Sequence, residues 1–504
     1  MIIVMSFIGL FDGAYCIYGR GGYMSSSVAV SSFLKAIAKF SVPSWINFFI
    51  GVTTVLIATR IFTPDVYGAI NIFNTSSAAF VGLACLGMDN AFIRFYHEPP
   101  EGVSPQELFT YCFLLSIGGL LLFSAFVLIF FHANASNYLF HQENVYLVAL
   151  ICVNGFSLLV LNNYFSQYYR MSNDPYHYTI QQILVQFFAK TFVIGSVFFE
   201  QRIDTVLTIN TVGLFLFMLV CAVIQGRKII VFPRTFSWEK FREVVRFGIF
   251  IWPLSTLSTL NAFVVPFLIV SYLDSYQVGI YSAALFFVSA FGVIQSGFRT
   301  YWSTFMYKNY QHEQSLIIRV HDFVVLGILL VLGLFILCQH GIYQFIGQDF
   351  RSSRLFFTLV LIDPLLLLLE QTTGYGTSIA KKNYQDTIIY VAAVLLNILL
   401  CISLLPHVGL IGAAIASMLA AVVRFLLSSW RGQIYYKSIS SIRKTLLGVA
   451  LILAMAISNV VLTDKMGFEI FVVITIGLFA ILAYRRDVRR IVDFLERRKC
   501  RKNW

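Results

Sequence analysis

Charge is what this sequence has least of. Asp, Glu, Lys and Arg make up 12% of its 504 residues, about half of the roughly 25% typical of soluble domains, and that deficit excludes a soluble fold. The polar stretches between apolar runs are too short to form a separate domain. The chain has no GxxxxGK[ST] phosphate loop and is therefore not itself an ATP-driven pump. Its eight cysteines are scattered, mostly within apolar runs, without CxxC or His-paired spacing. They read as small hydrophobes, so neither a disulfide, a metal site nor another cofactor is expected.

What is abundant is apolar length: 58% of the residues are hydrophobic. A helix rising 1.5 Å per residue needs about twenty apolar residues to cross a hydrocarbon core of roughly 30 Å. On that criterion spans are expected at 42–62, 69–92, 108–131, 145–166, 179–199, 204–224, 245–270, 278–298, 322–345, 355–378, 386–405, 409–430, 445–463 and 467–484. The expected fold class is all-α: a polytopic membrane protein of about fourteen transmembrane helices.

The formal charge of +12 does not indicate nucleic acid, because Lys and Arg sit in short loops beside apolar spans rather than along one soluble face. With both termini cytoplasmic, most of the 36 Lys and Arg fall on the cytoplasmic side. Loop 225–244 carries Arg227, Lys228, Arg234, Lys240 and Arg242. Arg60, Arg202, Arg351, Arg354 and Lys465 fall outside, and Lys190 and Arg424 lie within spans. Residues 1–41 form a cytoplasmic segment without the basic start of a signal peptide, and Met24 is an alternative start. Residues 485–504 form a basic tail, either a topological anchor or a helix on the anionic leaflet.

Similar segments open two halves of the chain. Pro43 and a hydrophobic helix lead to Phe62-Thr63-Pro64-Asp65-Val66-Tyr67-Gly68, while Pro253 and a hydrophobic helix lead to Leu273-Asp274-Ser275-Tyr276-Gln277-Val278-Gly279. Six spans separate the two copies, so the repeat is parallel, about an axis along the membrane normal. The expected organisation is an N-lobe at 42–224, a cytoplasmic basic linker at 225–244, a C-lobe at 245–430 and a helix pair at 431–484.

The run Ala58-Thr59-Arg60-Ile61-Phe62-Thr63-Pro64-Asp65-Val66-Tyr67-Gly68, followed by Leu86-Gly87-Met88 and Arg94, resembles the opening of the polysaccharide exporter family, which includes the O-antigen flippases. Leu396-Asn397-Ile398 and Leu405-Pro406-His407-Val408-Gly409-Leu410-Ile411-Gly412-Ala413-Ala414 are similar to its later signature. The resemblance covers roughly residues 40 to 430. It implies the two-lobed fold of the multidrug, oligosaccharidyl-lipid and polysaccharide exporter superfamily, in a bacterial inner membrane. It also implies a flippase, not an enzyme, moving an undecaprenyl-diphosphate-linked oligosaccharide toward the periplasmic leaflet, with a polysaccharide polymerase and a ligase as partners. Many relatives stop near twelve helices, so the extra pair leaves open a different lipid-linked substrate. The competing readings are a multidrug or small-solute exporter of the same superfamily and, less well supported, a polytopic polymerase; the short external loops argue against the latter.

Moving a sugar diphosphate through lipid requires fixed cations and hydroxyl or amide groups in a wet cavity. Lys190, in the middle of span 5 with Gln182 and Gln186 at helical spacing, is either a cavity-lining cation or a structural lysine paired to a neighbour. Arg424 in span 12 is a second substrate-binding candidate or a snorkelling side chain. Arg94 and Arg299, at equivalent cytoplasmic ends of spans 2 and 8, suit an incoming diphosphate or serve as topological anchors. Arg60 marks the periplasmic mouth or pairs with Asp65. Asp363 and Glu370, seven apart in span 10, share one helix face. They are candidates for ion coupling or for pairing with Lys190 or Arg424, and Asp89 near the end of span 2 is a third coupling candidate.

Overall fold

The computed structural model describes residues 46–200, 202–231, 238–462 and 465–485. The N-terminal segment 1–41, part of the basic linker and the tail after Arg485 lie outside the described residues.

Among the described residues, nine helices are long and apolar enough to cross a membrane, or eleven if each of two bent pairs counts as one span. The chain is a multi-pass membrane protein. Numbered as the expected spans, the nine are Pro105–Phe140 (3), Val145–Met171 (4), Pro175–Phe198 (5), Ile203–Ile229 (6), Phe241–Tyr272 (7), Gln314–Gln344 (9), Tyr384–Val408 (11), Leu410–Tyr435 (12) and Ile442–Leu462 (13). The bent pairs are span 2, Pro64–Ala84 with Met88–Phe95 at 64°, and span 10, Gln348–Leu355 with Phe357–Thr373 at 59°. The shorter apolar helices Ile46–Ile61 and Gly467–Ala483 lie at the places of spans 1 and 14, and the helix Ser275–Asn309 lies at that of span 8.

Local chemistry sets the starts. Pro64, Pro105 and Pro175 each open a helix, where a missing N–H costs nothing. Before Pro105, Ser104 Oγ accepts from Glu107 N while Glu107 Oε2 accepts from Ser104 N, a reciprocal capping box. Span 2 breaks at Leu86-Gly87, both in the left-handed region with φ of 51° and 71°. Gly87 carries no steric cost there, whereas Leu86 is held against about 1–2 kcal/mol of strain. The outer surface is apolar, with Leu122, Phe130, Val461 and Leu482 each at least two-thirds exposed, which in a bilayer is contact with acyl chains.

Span 2 packs against spans 7 and 8. The repeat glycines meet across this seam. A Cβ on Gly68 would lie 1.8 Å from Ser275 O and one on Gly279 2.1 Å from Pro64 O, so the two helix starts approach backbone to backbone. Further along, a Cβ on Gly87 would lie 2.2 Å from Gly248 O. Trp252 Nε1 and Thr256 Oγ1 both donate to Gly82 O near the break.

Spans 13 and 14 dock on spans 9 and 10 through two polar layers. At one end Lys444 Nζ pairs with Asp322 Oδ2 at 2.8 Å, and the buried His321 ring lies between Thr372 Oγ1 and Thr445 Oγ1 at 2.8 and 2.9 Å. Toward the other end, the buried Gln339 amide donates to Asn459 Oδ1 at 2.6 Å and to Glu469 Oε1. With no water in the hydrocarbon region, such groups fix the docking register.

Candidate functional site

Two polar sites lie inside the helical body. The first is in the second half of the chain. Span 12 carries Gly412, Ala413, Ala416, Ala420 and Ala421 as buried small residues, which lets its backbone approach spans 10 and 11 closely. The approach is tightest at Gly376, which opens the short helix Gly376–Ile379 following span 10 and where a Cβ would lie 1.9 Å from Gly432 O. Thr373 Oγ1 and Ser429 Oγ, 2.6 Å apart, and Gln433 Nε2 donating to Thr373 O at 2.9 Å complete the contact.

Two turns up from this clasp, Arg424 points inward from span 12 and is only 9% exposed. Its Nη1 lies 2.9 Å from Asp363 Oδ1 and its Nε 3.1 Å from Glu370 Oε2. The two carboxylates face it together because seven residues are nearly two helical turns, about 10 Å of rise, a gap the long guanidinium side chain bridges. The snorkelling expected as one option for Arg424 does not occur; burial beside two carboxylates outcompetes reaching for the interface. The ion group carries one positive and two negative charges, and Arg424 Nη2 is buried with no partner among the described residues. Asp363 is 44% exposed by side chain and Glu370 17%, so the group has an open and a closed end. A single proton or monovalent cation would neutralise it.

The second site is where span 2 breaks. The left-handed pair Leu86-Gly87 restarts the helix at Met88 and puts Asp89 in its first turn, where a carboxylate is favoured. Opposite, span 4 widens into a π-helical turn over Leu159–Phe165, a local irregularity frequent at functional sites. It presents Asn162 and Asn163. With Ser255 and Thr259 of span 7 these residues line a cavity of about 170 Å³. Asp89 Oδ2 accepts from Asn163 Nδ2 at 3.0 Å and Oδ1 from Asn90 Nδ2 at 3.1 Å. Carboxylate, amide and hydroxyl oxygens suit a proton or a hard monovalent cation. Among the described residues no cluster of three or more His, Cys, Asp or Glu could hold a metal.

The other expected residues are placed apart. Lys190 is half-buried on span 5, which packs on spans 4 and 6, and it makes no ion pair or hydrogen bond among the described residues. It pairs with neither Asp363 nor Glu370; both turn to Arg424. The buried amide of span 5 is Gln181, which accepts from Gln225 Nε2 at 3.0 Å, rather than Gln182 or Gln186. Arg94 is exposed and paired with Glu98 at 2.8 Å, a surface i,i+4 pair of about 0.3–0.5 kcal/mol. Arg299 is exposed on span 8. Arg60 does not pair with Asp65; its Nε donates to Phe345 O at 3.1 Å. Sequence reasoning missed Asn163 and Gln339, single amides that no periodicity distinguishes, and Glu469, an acidic residue within an apolar run that could have been flagged.

No family model and no curated protein matches the chain. Solved structures do. The lipid II flippase MurJ in its inward closed conformation superposes with a TM-score of 0.66 at 15% identity, covering 89% of this chain and 99% of that one. The ligand-bound MATE multidrug transporter DinF-BH gives 0.53 at 13% identity, covering 78% and 94%. An inward-facing MATE family transporter of the MOP superfamily gives 0.50 at 14% identity, covering 81% and 100%. The chain therefore has the fold shared by this lipid II flippase and these MATE transporters.

Proposed function

We propose that this protein is a flippase of the MOP fold that carries a lipid-linked anionic head group across the bacterial inner membrane, with both termini cytoplasmic. The substrate we infer is an undecaprenyl-diphosphate-linked oligosaccharide, a repeat unit of O-antigen or a related surface polysaccharide, delivered to a polymerase and a ligase on the periplasmic side. The observation that carries the reading is Lys190. A lysine inside a span costs about 3 kcal/mol on insertion scales unless something charged or wet compensates it, and no carboxylate among the described residues does. A diphosphate passing between the lobes would. The fold likeness supports a lipid cargo in one further respect: it extends over 89% of the chain for the lipid II flippase against 78% and 81% for the two exporters.

In this reading residues 42–224 and 245–430 rock as two lobes about the seam along span 2. Asp89 and the Asp363–Arg424–Glu370 group bind the coupling ion, while Arg94 and Arg299 stand at the cytoplasmic entrance. The test is translocation of a fluorescent undecaprenyl-diphosphate oligosaccharide in proteoliposomes. Lys190→Glu should cut the initial rate by about tenfold or more, since a like charge replaces attraction by repulsion, while Lys190→Arg should keep most of it. Equal rates for wild type and Lys190→Glu would sink the proposal. Asp89→Asn should leave the melting temperature near wild type and abolish the response of the rate to an imposed proton or sodium gradient; a retained response would remove Asp89 from coupling.

The second reading is export of a small organic cation. It is favoured by the three acidic groups Asp89, Asp363 and Glu370 within the helical body and by the fold shared with DinF-BH. Efflux of a lipophilic cation that is insensitive to Lys190→Glu would select it.

A further inference from the structure

Basic residues are depleted on the outer face of membrane proteins, and only five fall there in the orientation proposed above. Three of the five, Arg60, Arg351 and Arg354, converge on one loop. Arg60 of span 1 reaches the far end of span 9 and donates to Phe345 O at 3.1 Å. The neighbouring backbone is held close to span 1, for a Cβ on Gly347 would lie 1.8 Å from Thr59 O. Arg351, on the 3₁₀ turn that opens span 10, directs its Nη2 to Gln344 O and its Nε to Ile346 O, both at a long 3.4 Å. Between the end of span 9 and this turn lies a cavity of about 580 Å³ lined by His340, Tyr343, Gln344, Arg351 and Arg354, a volume within the roughly 300–1,000 Å³ of small-molecule sites; Arg60 stands outside this lining, against the adjacent Phe345 carbonyl.

The charge balance of the basin is positive. Arg354 stands beside the buried Glu469 carboxylate, and Asp349 is exposed on the same turn. No carboxylate pairs with Arg60 or Arg351 among the described residues; both are steadied only by backbone carbonyls. Each guanidinium has five N–H donors, so most of those on Arg60 and Arg351 stay available in a forked geometry matched to phosphate oxygens. A histidine, a tyrosine and a glutamine add neutral hydrogen-bonding groups at the rim, which suits a phosphate bearing a polar substituent.

The geometry points to a phosphate-binding basin lined by Arg351 and Arg354, with Arg60 beside it at the Phe345 carbonyl, on the membrane face opposite the basic linker, separate from both interior polar sites, taking the phosphate of a lipid head group. Calling that face the outer one rests on the proposed orientation; the ligand class rests on the residues. On a flippase, such a basin would hold the head group of a lipid on the far leaflet.

The test uses the full-length protein in phosphatidylcholine nanodiscs, with phosphatidylglycerol and inorganic diphosphate as separate probes. Wild type should bind phosphatidylglycerol by native mass spectrometry. The Arg60→Gln/Arg351→Gln double variant should bind about tenfold or more weakly, the usual loss for a charge-assisted hydrogen bond, and Arg60→Lys/Arg351→Lys should recover part of it. Weakening for diphosphate as well supports a site that recognises the phosphate itself; weakening for the lipid alone supports a site needing the membrane-anchored head group. Equal affinity of wild type and double variant for both probes overturns the proposal. Should the double variant give no folded sample, Arg351→Gln alone, at an exposed position, serves the same comparison. The assay reads binding, not translocation, so its result stands apart from the flipping measurement.

Discussion

Arg424→Leu should destabilise the protein by about 3 kcal/mol, the low end of the range for breaking a buried ion pair. The cost arises because Glu370 is left nearly enclosed and uncompensated, while Asp363, 44% exposed by side chain, is far less desolvated and adds little to the loss. The signature is rescue. Arg424→Leu with Glu370→Gln should regain most of the lost stability, since the isolated carboxylate is gone, whereas Arg424→Leu with Asp363→Asn should regain little. Unfolding of the purified protein in mixed micelles, followed by circular dichroism, reads all three. Equal instability of Arg424→Leu and its Glu370→Gln combination would show that packing of the arginine stem, not charge, sets the cost. If the group couples an ion as proposed, both variants should also lose gradient-driven transport, because the rescue restores the fold and not the titratable site.

Gly68→Val should have a comparable effect by another route. The atoms that a Cβ would strike, Ser275 O at 1.8 Å and Gly279 N at 2.7 Å, are backbone and cannot rotate away. The starts of spans 2 and 8 must separate, at a cost of about 3 kcal/mol, the upper part of the overpacking range. Gly118→Ala is the control, because a Cβ there meets open space and helix propensity favours alanine by up to about 1 kcal/mol. Opening is read directly by a cysteine at Ala69, which is fully buried, in a background without native cysteines. A membrane-impermeant thiol reagent should label it only when Gly68→Val is also present. Labelling without that substitution would mean that the seam opens spontaneously, and no labelling in either case would mean that the helices accommodate the valine without parting.

The candidate sites were partly legible beforehand, and where they were the reason is periodicity. Asp363 and Glu370 stood out as sharing a face because helix geometry relates positions seven apart regardless of what surrounds them. Arg424 stood out because a cation inside an apolar run is expensive. Which charges would meet was not legible: Arg424 and Lys190 were equal claimants for the carboxylates, and only the close approach of spans 10 and 12 through Gly376, Gly432 and the alanines of span 12 decided for Arg424. Asn163 carried no signal because its place depends on a π-helical turn, which shifts register by one residue without any mark in hydropathy.

That the chain lives in a bilayer and is built of helices is legible in its residues, because hydrocarbon tolerates only backbone that satisfies itself, and apolar length records this residue by residue. The repeat also marks Gly68 and Gly279 as matching positions, each four residues into its helix. Packing between distant helices sets the rest: these two glycines face each other, Asp89 looks into a cavity, and Arg60 lies against the loop carrying Arg351. Those contacts join residues up to several hundred positions apart, and the packing of small residues between helices that brings them together leaves no trace in local composition.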